Sequence, residues 1–341
     1  DGTGGMTRLA AGVPVAVTRD MLRAPGVAPV ASVVQLTAVG ASGPGYLTAY
    51  PCGIAAPLAS SVNYVKSAAA SALATVRLDA AGSFCVVSSQ NTDLVIDRFA
   101  TYDPPTSVWG GKFVVDSTGP TRLVDTRTPS GGGRLGAGET RTYLGPAGVR
   151  ALMINLTATN SDGGWVAVNQ TTSGWPSTSN LNVLPGETRS NAAVVPVDPD
   201  GSFSVHTQSA TDIVIDVLGT FTDTADESAG SVFRSLAPSR VLDTRNGTAI
   251  PAGGTITVDV SAAGVPAGAT AVAATLTSIN SNGYLTAWSA GTRPLASNVN
   301  GSATGIVPNT VYVGLSNGTF QLFSQAGADV VIDVVGYFTA N

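Results

Sequence analysis

Three similar stretches decide the fold of this chain: Gly45-Tyr46-Leu47-Thr48-Ala49, Gly164-Trp165-Val166-Ala167-Val168 and Gly283-Tyr284-Leu285-Thr286-Ala287. They recur at a spacing of about 119 residues, and in each case an Asn-containing step and a closing strand follow. The closing strands are Thr92-Asp93-Leu94-Val95-Ile96-Asp97, Thr211-Asp212-Ile213-Val214-Ile215-Asp216 and Ala328-Asp329-Val330-Val331-Ile332-Asp333. A period this long exceeds that of a solenoid unit and matches a small domain with its own core. The sequence predicts three copies of one module, over residues 1–103, 112–222 and 230–341, which we term repeats 1, 2 and 3.

The composition is that of a weakly charged globular protein. Of 341 residues, 43% are hydrophobic and 11% are charged, with a net charge of −5. Lys66 and Lys112 are the only lysines, so no basic stripe exists to neutralise phosphates, and the composition argues against nucleic-acid binding. The sequence has no run of 18 apolar residues, so it predicts no membrane-spanning helix. Polar or Pro-rich stretches at residues 103–106 and 222–228 predict linkers between the repeats.

The pattern along each repeat is typical of β-structure. Residues 33–38, 151–157 and 271–277 are short, rich in β-branched residues and bounded by Gly, Asn or Ser. Asp200-Gly201 and Asn317-Gly318 predict hairpin turns before the next strand. We therefore expect an all-β fold of three tandem β-sandwich modules, Greek-key/Ig-like or jelly-roll-like, without helices. The modules are expected to pack loosely, in a row or around a pseudo-threefold axis.

The repeats differ most at their front ends. Repeats 2 and 3 open with segments that contain Asp125 with Arg127 and Asp243 with Arg245. Residues two apart on a strand share a face at about 7 Å, which predicts a structural ion pair in each segment, with an anion site as the alternative. Repeat 1 lacks the segment, so it is predicted to be truncated and to leave a sheet edge unpaired.

Several ways of completing repeat 1 are open. Another chain or a partner protein could supply the strand, as in donor-strand complementation. Alternatively, residues 1–10 close the module, residues 108–113 fold back onto it, or the missing piece was cleaved off.

The two cysteines, Cys52 and Cys85, both lie in repeat 1. Their spacing is poor for metal ligation, and we expect a disulfide that closes a loop of about 34 residues, with two reduced core thiols as the alternative. A disulfide favours an oxidising compartment, hence a secreted or surface-exposed protein.

Aromatic residues are the candidate ligand contacts. Tyr46, Trp165 and Tyr284 occupy one aligned position and are expected to fill the cores. Tyr50, Trp288 and the loop residue Trp175 vary between copies. Because ligand-specific positions in a repeated frame should vary, we predict that these three rings contact a glycan.

Signals for catalysis and for metals are weak. His206 is the only histidine and aligns with Val87 and Phe323, so a Ser-His-Asp site would exist in repeat 2 alone. Asp93 and Asp97 stand about 13 Å apart on a strand, too far to share one Ca²⁺ with ligands at about 2.4 Å. No cofactor or metal site is predicted. Calcium held by loop oxygens and a two-carboxylate glycosidase site stay open.

Together, several strings resemble a repeat module of secreted actinobacterial proteins, in which such modules occur in tandem and are sometimes appended to peptidoglycan amidases or other exported hydrolases. The strings are Gly-Tyr-Leu-Thr-Ala-Tyr-Pro-Cys-Gly at 45–53, the Asp-Leu-Val-Ile-Asp closing strand, the Asp-Thr-Arg openers and Val334-Val335-Gly336-Tyr337-Phe338. The resemblance implies export, a cysteine pair bridged within a module, and an attachment or surface role.

These observations predict a secreted, non-enzymatic surface protein that binds cell-wall or extracellular carbohydrate through repeated sites. The alternatives are a structural subunit of an extracellular assembly built by strand complementation, with itself or another secreted protein as the partner of the incomplete repeat 1, and an exported hydrolase with an unrecognised site.

Overall fold

The computed structural model describes residues 8–18, 28–104, 111–117, 119–173, 178–222 and 230–340. These residues form 24 β-strands, and the prediction of an all-β fold is confirmed. The helical turns among them are four short 3₁₀ helices, Pro129–Gly131, Thr171–Ser173, Thr244–Asn246 and Ser261–Ala263. None of the described residues belongs to a helix long and apolar enough to cross a membrane. Most of the two predicted linkers lies outside the described residues.

Repeat 1 contributes seven strands in two antiparallel sheets. They are β1 (Val15–Val17), β2 (Ala31–Val39), β3 (Gly45–Pro51), β4 (Val62–Tyr64), β5 (Ala70–Arg77), β6 (Phe84–Ser88) and β7 (Asp93–Tyr102). One sheet has the order β1-β6-β3-β4 and the other the order β5-β2-β7. Among the described residues the second sheet has three strands, one fewer than its counterpart in repeat 3.

Repeat 2 contributes nine strands in the same plan. They are β8 (Phe113–Val115), β9 (Thr121–Asp125), β10 (Thr140–Leu144), β11 (Val149–Thr159), β12 (Gly164–Asn169), β13 (Leu181–Val183), β14 (Arg189–Pro196), β15 (Ser202–Thr207) and β16 (Asp212–Thr222). One sheet is β10-β15-β12-β13, and the other is β14-β11-β16, with β8 and β9 both paired to the free side of β16.

Repeat 3 contributes eight strands. They are β17 (Val232–Asp243), β18 (Thr255–Asp259), β19 (Ala271–Ile279), β20 (Tyr284–Trp288), β21 (Val299–Asn300), β22 (Ile306–Gly314), β23 (Thr319–Ser324) and β24 (Asp329–Thr339). The sheets are β18-β23-β20-β21 and β17-β24-β19-β22. The single strand β17 lies on β24 where β8 and β9 lie on β16.

Each repeat encloses its own core between its two sheets. In repeat 2, for example, Leu152 and Ile154 of β11 meet Val166 of β12 and Phe203 of β15, and all four are fully buried. Repeats 1 and 3 have corresponding clusters around Phe84 and Phe320. We call the sheets that contain β3, β12 and β20 the outer sheets, and those that contain β2, β11 and β19 the inner sheets.

A fourth core joins the three repeats. It is formed by the second faces of the inner sheets and includes Leu73 from repeat 1, Met153 from repeat 2, and Tyr312 and Phe338 from repeat 3. The inner sheets are therefore covered on both faces, which explains why β2 and β19 are buried along nearly their whole length without alternation. The repeats are arranged around this common core, and the expected loose packing is wrong because the core is continuous and buried.

Hydrogen bonds between the inner sheets close the arrangement into a ring. The backbone N–H of Leu73 donates to Asn191 Oδ1 at 3.0 Å, and the N–H of Ala192 donates to Asn309 Oδ1 at 2.9 Å. Thr310 Oγ1 then donates to the carbonyl of Leu73 at 2.6 Å. Repeat 2 thus contacts repeat 1, repeat 3 contacts repeat 2, and repeat 3 also contacts repeat 1, as in a closed cyclic assembly.

The turns at Asp200-Gly201 and Asn317-Gly318, predicted to close hairpins, connect strands of different sheets. Gly201 has φ +89°, and Asn317 and Gly318 have φ +51° and +77°, so the local turns form as the sequence predicts. However, the strands that they connect, β14 with β15 and β22 with β23, lie in different sheets. The hairpin prediction is wrong because each turn carries the chain across the core from the inner to the outer sheet.

The predicted disulfide is present in repeat 1. Cys52 and Cys85 are joined with an S–S distance of 2.03 Å. Cys52 follows the end of β3 and Cys85 lies on β6, so the bond ties two neighbouring strands of the outer sheet.

Candidate ligand-binding site

A cavity of about 740 Å³ lies where the three repeats meet. Its wall combines β3, β4 and the start of β5 from repeat 1 with β12, β13 and the start of β14 from repeat 2, and the loop before β22 closes it from repeat 3. Cavities that bind small ligands commonly have volumes of about 300–1,000 Å³. Among the described parts of the chain, this cavity is therefore the candidate ligand site.

Two aromatic rings from the aligned position line the cavity. Tyr46 lies opposite Asn63 in the β3–β4 pairing, and Trp165 lies opposite Asn182 in the β12–β13 pairing. Tyr46 is 44% exposed and Trp165 is partly exposed. Each of these two repeats therefore presents one ring and one amide side by side at the cavity wall.

Another chain segment approaches the glycine before each ring closely. Gly164 has φ +89°, and a Cβ there would lie 2.6 Å from Gln208 Oε1. At Gly45 a Cβ would lie 2.3 Å from Ser89 Oγ. The loop that follows the neighbouring strand thus packs directly on the backbone beside the ring.

Polar groups complete the wall. Arg189 Nη1 lies 3.3 Å from Glu187 Oε1, and both side chains are partly buried. Asn182 Nδ2 donates to Ser71 Oγ at 2.9 Å, which links repeat 2 to repeat 1 beside the cavity. The cavity therefore offers apolar ring faces next to amides, hydroxyls and one balanced ion pair, rather than a strong charge of one sign.

Repeat 3 contributes differently. The wall there consists of Ser302, Thr304 and residues 305–307, which follow β21. Tyr284, the aligned aromatic of repeat 3, does not line the cavity, and its ring lies 6.0 Å from that of Phe323. The site is thus asymmetric, although the chain is repetitive.

The aromatic predictions are reversed by the structure. Tyr50 and Trp288, expected to meet a ligand, are 3% and 4% exposed, whereas Tyr46, expected in a core, is on the surface. Trp165 and Tyr284, also expected in cores, are partly exposed. Trp175 lies outside the described residues.

Burial of Trp288 has a visible cause in the junction between repeats. A Cβ placed on Gly119 of repeat 2 would lie only 2.9 Å from the Cβ of Trp288. The Nε1 of Trp288 donates to the carbonyl of Gly291 at 3.2 Å. Thr48 and Thr286, which follow the aligned rings, are also buried and donate to the carbonyls of Ala59 and Ala296. Trp288 thus packs at the junction of repeats 2 and 3, whereas Thr48 and Thr286 each bond to a loop of their own repeat.

The front segments of repeats 2 and 3 form ion pairs. Arg127 Nη2 lies 2.6 Å from Asp125 Oδ2, and Arg245 Nη2 lies 2.6 Å from Asp243 Oδ2. The Arg245 guanidinium lowers the pKa of Asp243 to about 2, and Arg127 lowers the pKa of Asp125. Each carboxylate is therefore already bonded to an arginine of its own segment.

His206 lies next to the cavity residue Trp165. Its ring centroid is 5.3 Å from that of Trp165, its Nδ1 lies 2.8 Å from Thr140 Oγ1, and burial lowers its pKa. Within the described ranges, no cluster of three or more His, Cys, Asp or Glu side chains is arranged to hold a metal ion.

The shared cavity itself could not be found from the sequence, because its three walls come from chain segments more than 90 residues apart, from Ala70 to Gly164 and from Gln208 to Ser302. No alternation along β3 or β12 marks the exposed ring, because the residues that follow it are buried on both faces of the strand.

Comparisons with known proteins add little. No family model matches the chain, and no curated protein matches it. One similar solved chain comes from the work described as "The Triple Jelly Roll Fold and Turret Assembly in an Archaeal Virus", with 9% identity over 98% of this chain and 84% of that chain. The TM-score of 0.19 is too low for this likeness to carry an argument about fold or function.

Proposed function

We propose that this is a secreted, non-enzymatic surface protein that binds a cell-wall or extracellular carbohydrate in the cavity between the repeats. The observation that carries the proposal is the pair of surface rings, Tyr46 and Trp165, each beside an asparagine in one cavity. A sugar ring has an apolar face that stacks on an aromatic ring and hydroxyls that bond to amides. Neutral hydroxylated ligands suit a wall without a strong charge of one sign.

The surrounding architecture supports a scaffold role. We propose that each pair of inner and outer sheets is one β-sandwich module, with boundaries near 1–103, 112–222 and 230–341. The disulfide between Cys52 and Cys85 supports export, because such bonds persist in oxidising compartments. A cavity built once from three repeats replaces the expectation of three repeated sites and implies one ligand per chain.

The test uses a glycan array on the full chain, followed by calorimetric titration of a glycan that binds. Trp165→Ala should weaken binding at least about fivefold, if a sugar face gains as much from the ring as a stacked nucleobase does, on the order of 1–3 kcal/mol. The matched control is Tyr284→Ala, which removes the aligned ring outside the cavity and should leave affinity within about twofold.

Three results would overturn the proposal: absence of any glycan ligand, equal losses for the two variants, or a stoichiometry of three. Thermal melting of both variants separates loss of the ligand contact from loss of the fold.

A further inference from the structure

The outer edge of β7 differs from the corresponding edges in the other repeats. In repeats 2 and 3 the last inner strand, β16 or β24, pairs on this side with β9 or β17. Among the described residues, β7 pairs with β2 alone. Val95 of β7 is 48% exposed, whereas its counterparts Val214 and Val331 are each 4% exposed.

The described chain segments on either side of repeat 1, around Leu9 and Phe113, do not pair with the outer edge of β7. Leu9 bridges to Thr92, before β7 begins, as Leu135 bridges to Thr211 in repeat 2, which already has its covering strand. Phe113 pairs with Phe221 of repeat 2. Both are therefore regular features of the fold and not replacements for a strand on β7.

The strand that covers repeat 2 is recognised through one arginine. Arg122 Nε donates to Asp216 Oδ1 at 2.5 Å and Nη1 to Asp125 Oδ2 at 2.8 Å, while Nη2 donates to the carbonyl of Leu295 in repeat 3 at 3.0 Å. Thr126 Oγ1 accepts the N–H of Ile213 at 2.9 Å.

Repeat 3 repeats this set of contacts. Arg240 donates to Asp333 at 2.9 and 3.0 Å and to Asp243 at 3.1 Å, and also to the carbonyl of Leu58 in repeat 1. Thr244 Oγ1 accepts the N–H of Val330 at 2.8 Å. The pattern Arg-x-x-Asp-Thr-Arg, present in both covering strands, thus encodes the docking of a strand on this edge.

Asp97 is the counterpart of the two buried carboxylates. It pairs with Gln35 on β2, as Asp216 pairs with Asn155 and Asp333 with Thr275. Asp216 and Asp333 are fully buried under their arginines, whereas Asp97 is partly exposed and forms no ion pair with a described residue. Repeat 1 therefore retains the carboxylate that would accept the arginine of a covering strand.

We propose that the outer edge of β7 from Asp93 to Asp97 is a docking site for an extended strand of a separate polypeptide. That strand carries the pattern Arg-x-x-Asp-Thr, with its arginine on Asp97 and its aspartate opposite Val95. Main-chain bonds to a free edge supply affinity and the arginine supplies register, as in β-augmentation.

The site does not extend to the end of β7. Gly219 and Gly336 make room for Phe113 and Phe233 of the covering strands, since a Cβ there would lie within 2.5 Å of those rings. The equivalent residue in repeat 1 is Ala100, and Tyr102 is already stacked on Phe233 with the ring centroids 4.2 Å apart. Only the short Arg-x-x-Asp-Thr part of a covering strand therefore fits. This proposal is independent of glycan binding and gives the protein a way to attach to a partner.

The test measures fluorescence anisotropy of a labelled peptide with the sequence of residues 120–129 added to the full chain. We expect saturable binding that weakens at least about tenfold when the peptide carries Arg122→Ala or the chain carries Asp97→Asn, because a charge-assisted bidentate contact is lost. The control variant Asp162→Asn changes an exposed aspartate of repeat 2 and should bind as the unmodified chain does.

Absence of saturable binding, or equal binding of the Arg122→Ala peptide, would overturn the proposal. If Asp97→Asn fails to fold by circular dichroism, the peptide variants alone decide. Light scattering addresses the other occupant: a dimer that Asp97→Asn dissociates would assign the edge to a second copy of this chain and would also overturn the proposal.

Discussion

At the scale of single residues, two asparagines hold the ring of repeats together. Asn191 and Asn309 occupy equivalent positions on β14 and β22, and both are 1% exposed. Each accepts a backbone N–H from the preceding repeat and donates to a side chain there, Gln35 or Asn155. Repeat 1 has Ala72 at this position, so the third junction relies on Thr310 instead.

Asn309→Ala should lower the free energy of unfolding by about 3 kcal/mol or more, since each buried polar group left unsatisfied costs roughly 1–3 kcal/mol. The groups left behind are the N–H of Ala192, the side-chain oxygen of Asn155 and the carbonyl of Asn298. Ala72 shows that alanine suits the strand itself, so the loss belongs to the junction. Urea unfolding measures it, and a change below about 0.5 kcal/mol would contradict the assignment.

Two tyrosines in the shared core make the stability sensitive to alkali. Tyr312 OH lies 2.9 Å from both Thr75 Oγ1 and Tyr102 OH. Burial raises the pKa of Tyr312 to about 12 and raises the pKa of Tyr102 well above its usual value of 10.0. The folded protein therefore keeps these protons at a pH where the unfolded chain has lost them.

The free energy of unfolding should therefore be insensitive to these groups below pH 10 and should fall as the pH rises from 10 towards 12. Each group contributes a slope of up to about 1.4 kcal/mol per pH unit. Urea unfolding of the unmodified chain and of Tyr312→Phe across this range tests the prediction. The stability difference between the two proteins should shrink with rising pH, and a constant difference would contradict it.

At the scale of strands and sheets, the sequence predicted what depends on local pattern. The turns, the all-β content, the disulfide and the three-stranded inner sheet that the described residues of repeat 1 form follow from short motifs or from comparison of the three copies. The exposure of Tyr46 and the burial of Tyr50 did not follow from the sequence, because β3 is buried from Leu47 to Pro51 and shows no clean alternation. The hairpins failed because a tight turn does not reveal whether its strands share a sheet.

Close packing of the covering strand predicts different tolerance at equivalent glycine and alanine positions. A Cβ at Gly336 would lie 2.2 Å from Phe233 Cζ and 2.8 Å from the carbonyl oxygen of Arg234. Gly336→Ala should therefore cost about 2–3 kcal/mol, in the range of overpacked cores. Ala100→Gly, the reverse change in repeat 1, should cost about 1 kcal/mol or less. Thermal unfolding of the two variants compares them, and equal losses would show that β17 can move aside.

At the scale of the whole molecule, the repeats behave structurally as three subunits of a trimer joined in one chain. The inner sheets bury one face within each repeat and the other against the neighbouring repeats, so the shared core links all three. The cavity and the polar junctions arise only from this closure. A single repeat taken from the ring would expose residues such as Leu73, Met153 or Phe338 to water.

The shared core predicts that the three repeats unfold in one cooperative transition, unlike independent domains on a string. Hydrogen exchange followed by mass spectrometry tests this at equivalent strands, β2, β11 and β19. In the unmodified chain their amides should open with similar free energies, because exchange from the most protected strands reports global unfolding. Asn309→Ala, which lies between repeats 2 and 3, should then lower the protection of β2 in repeat 1 as much as that of β19. If β2 keeps its protection while β19 loses it, the repeats unfold separately, and the common core is a contact between domains rather than the centre of one folding unit.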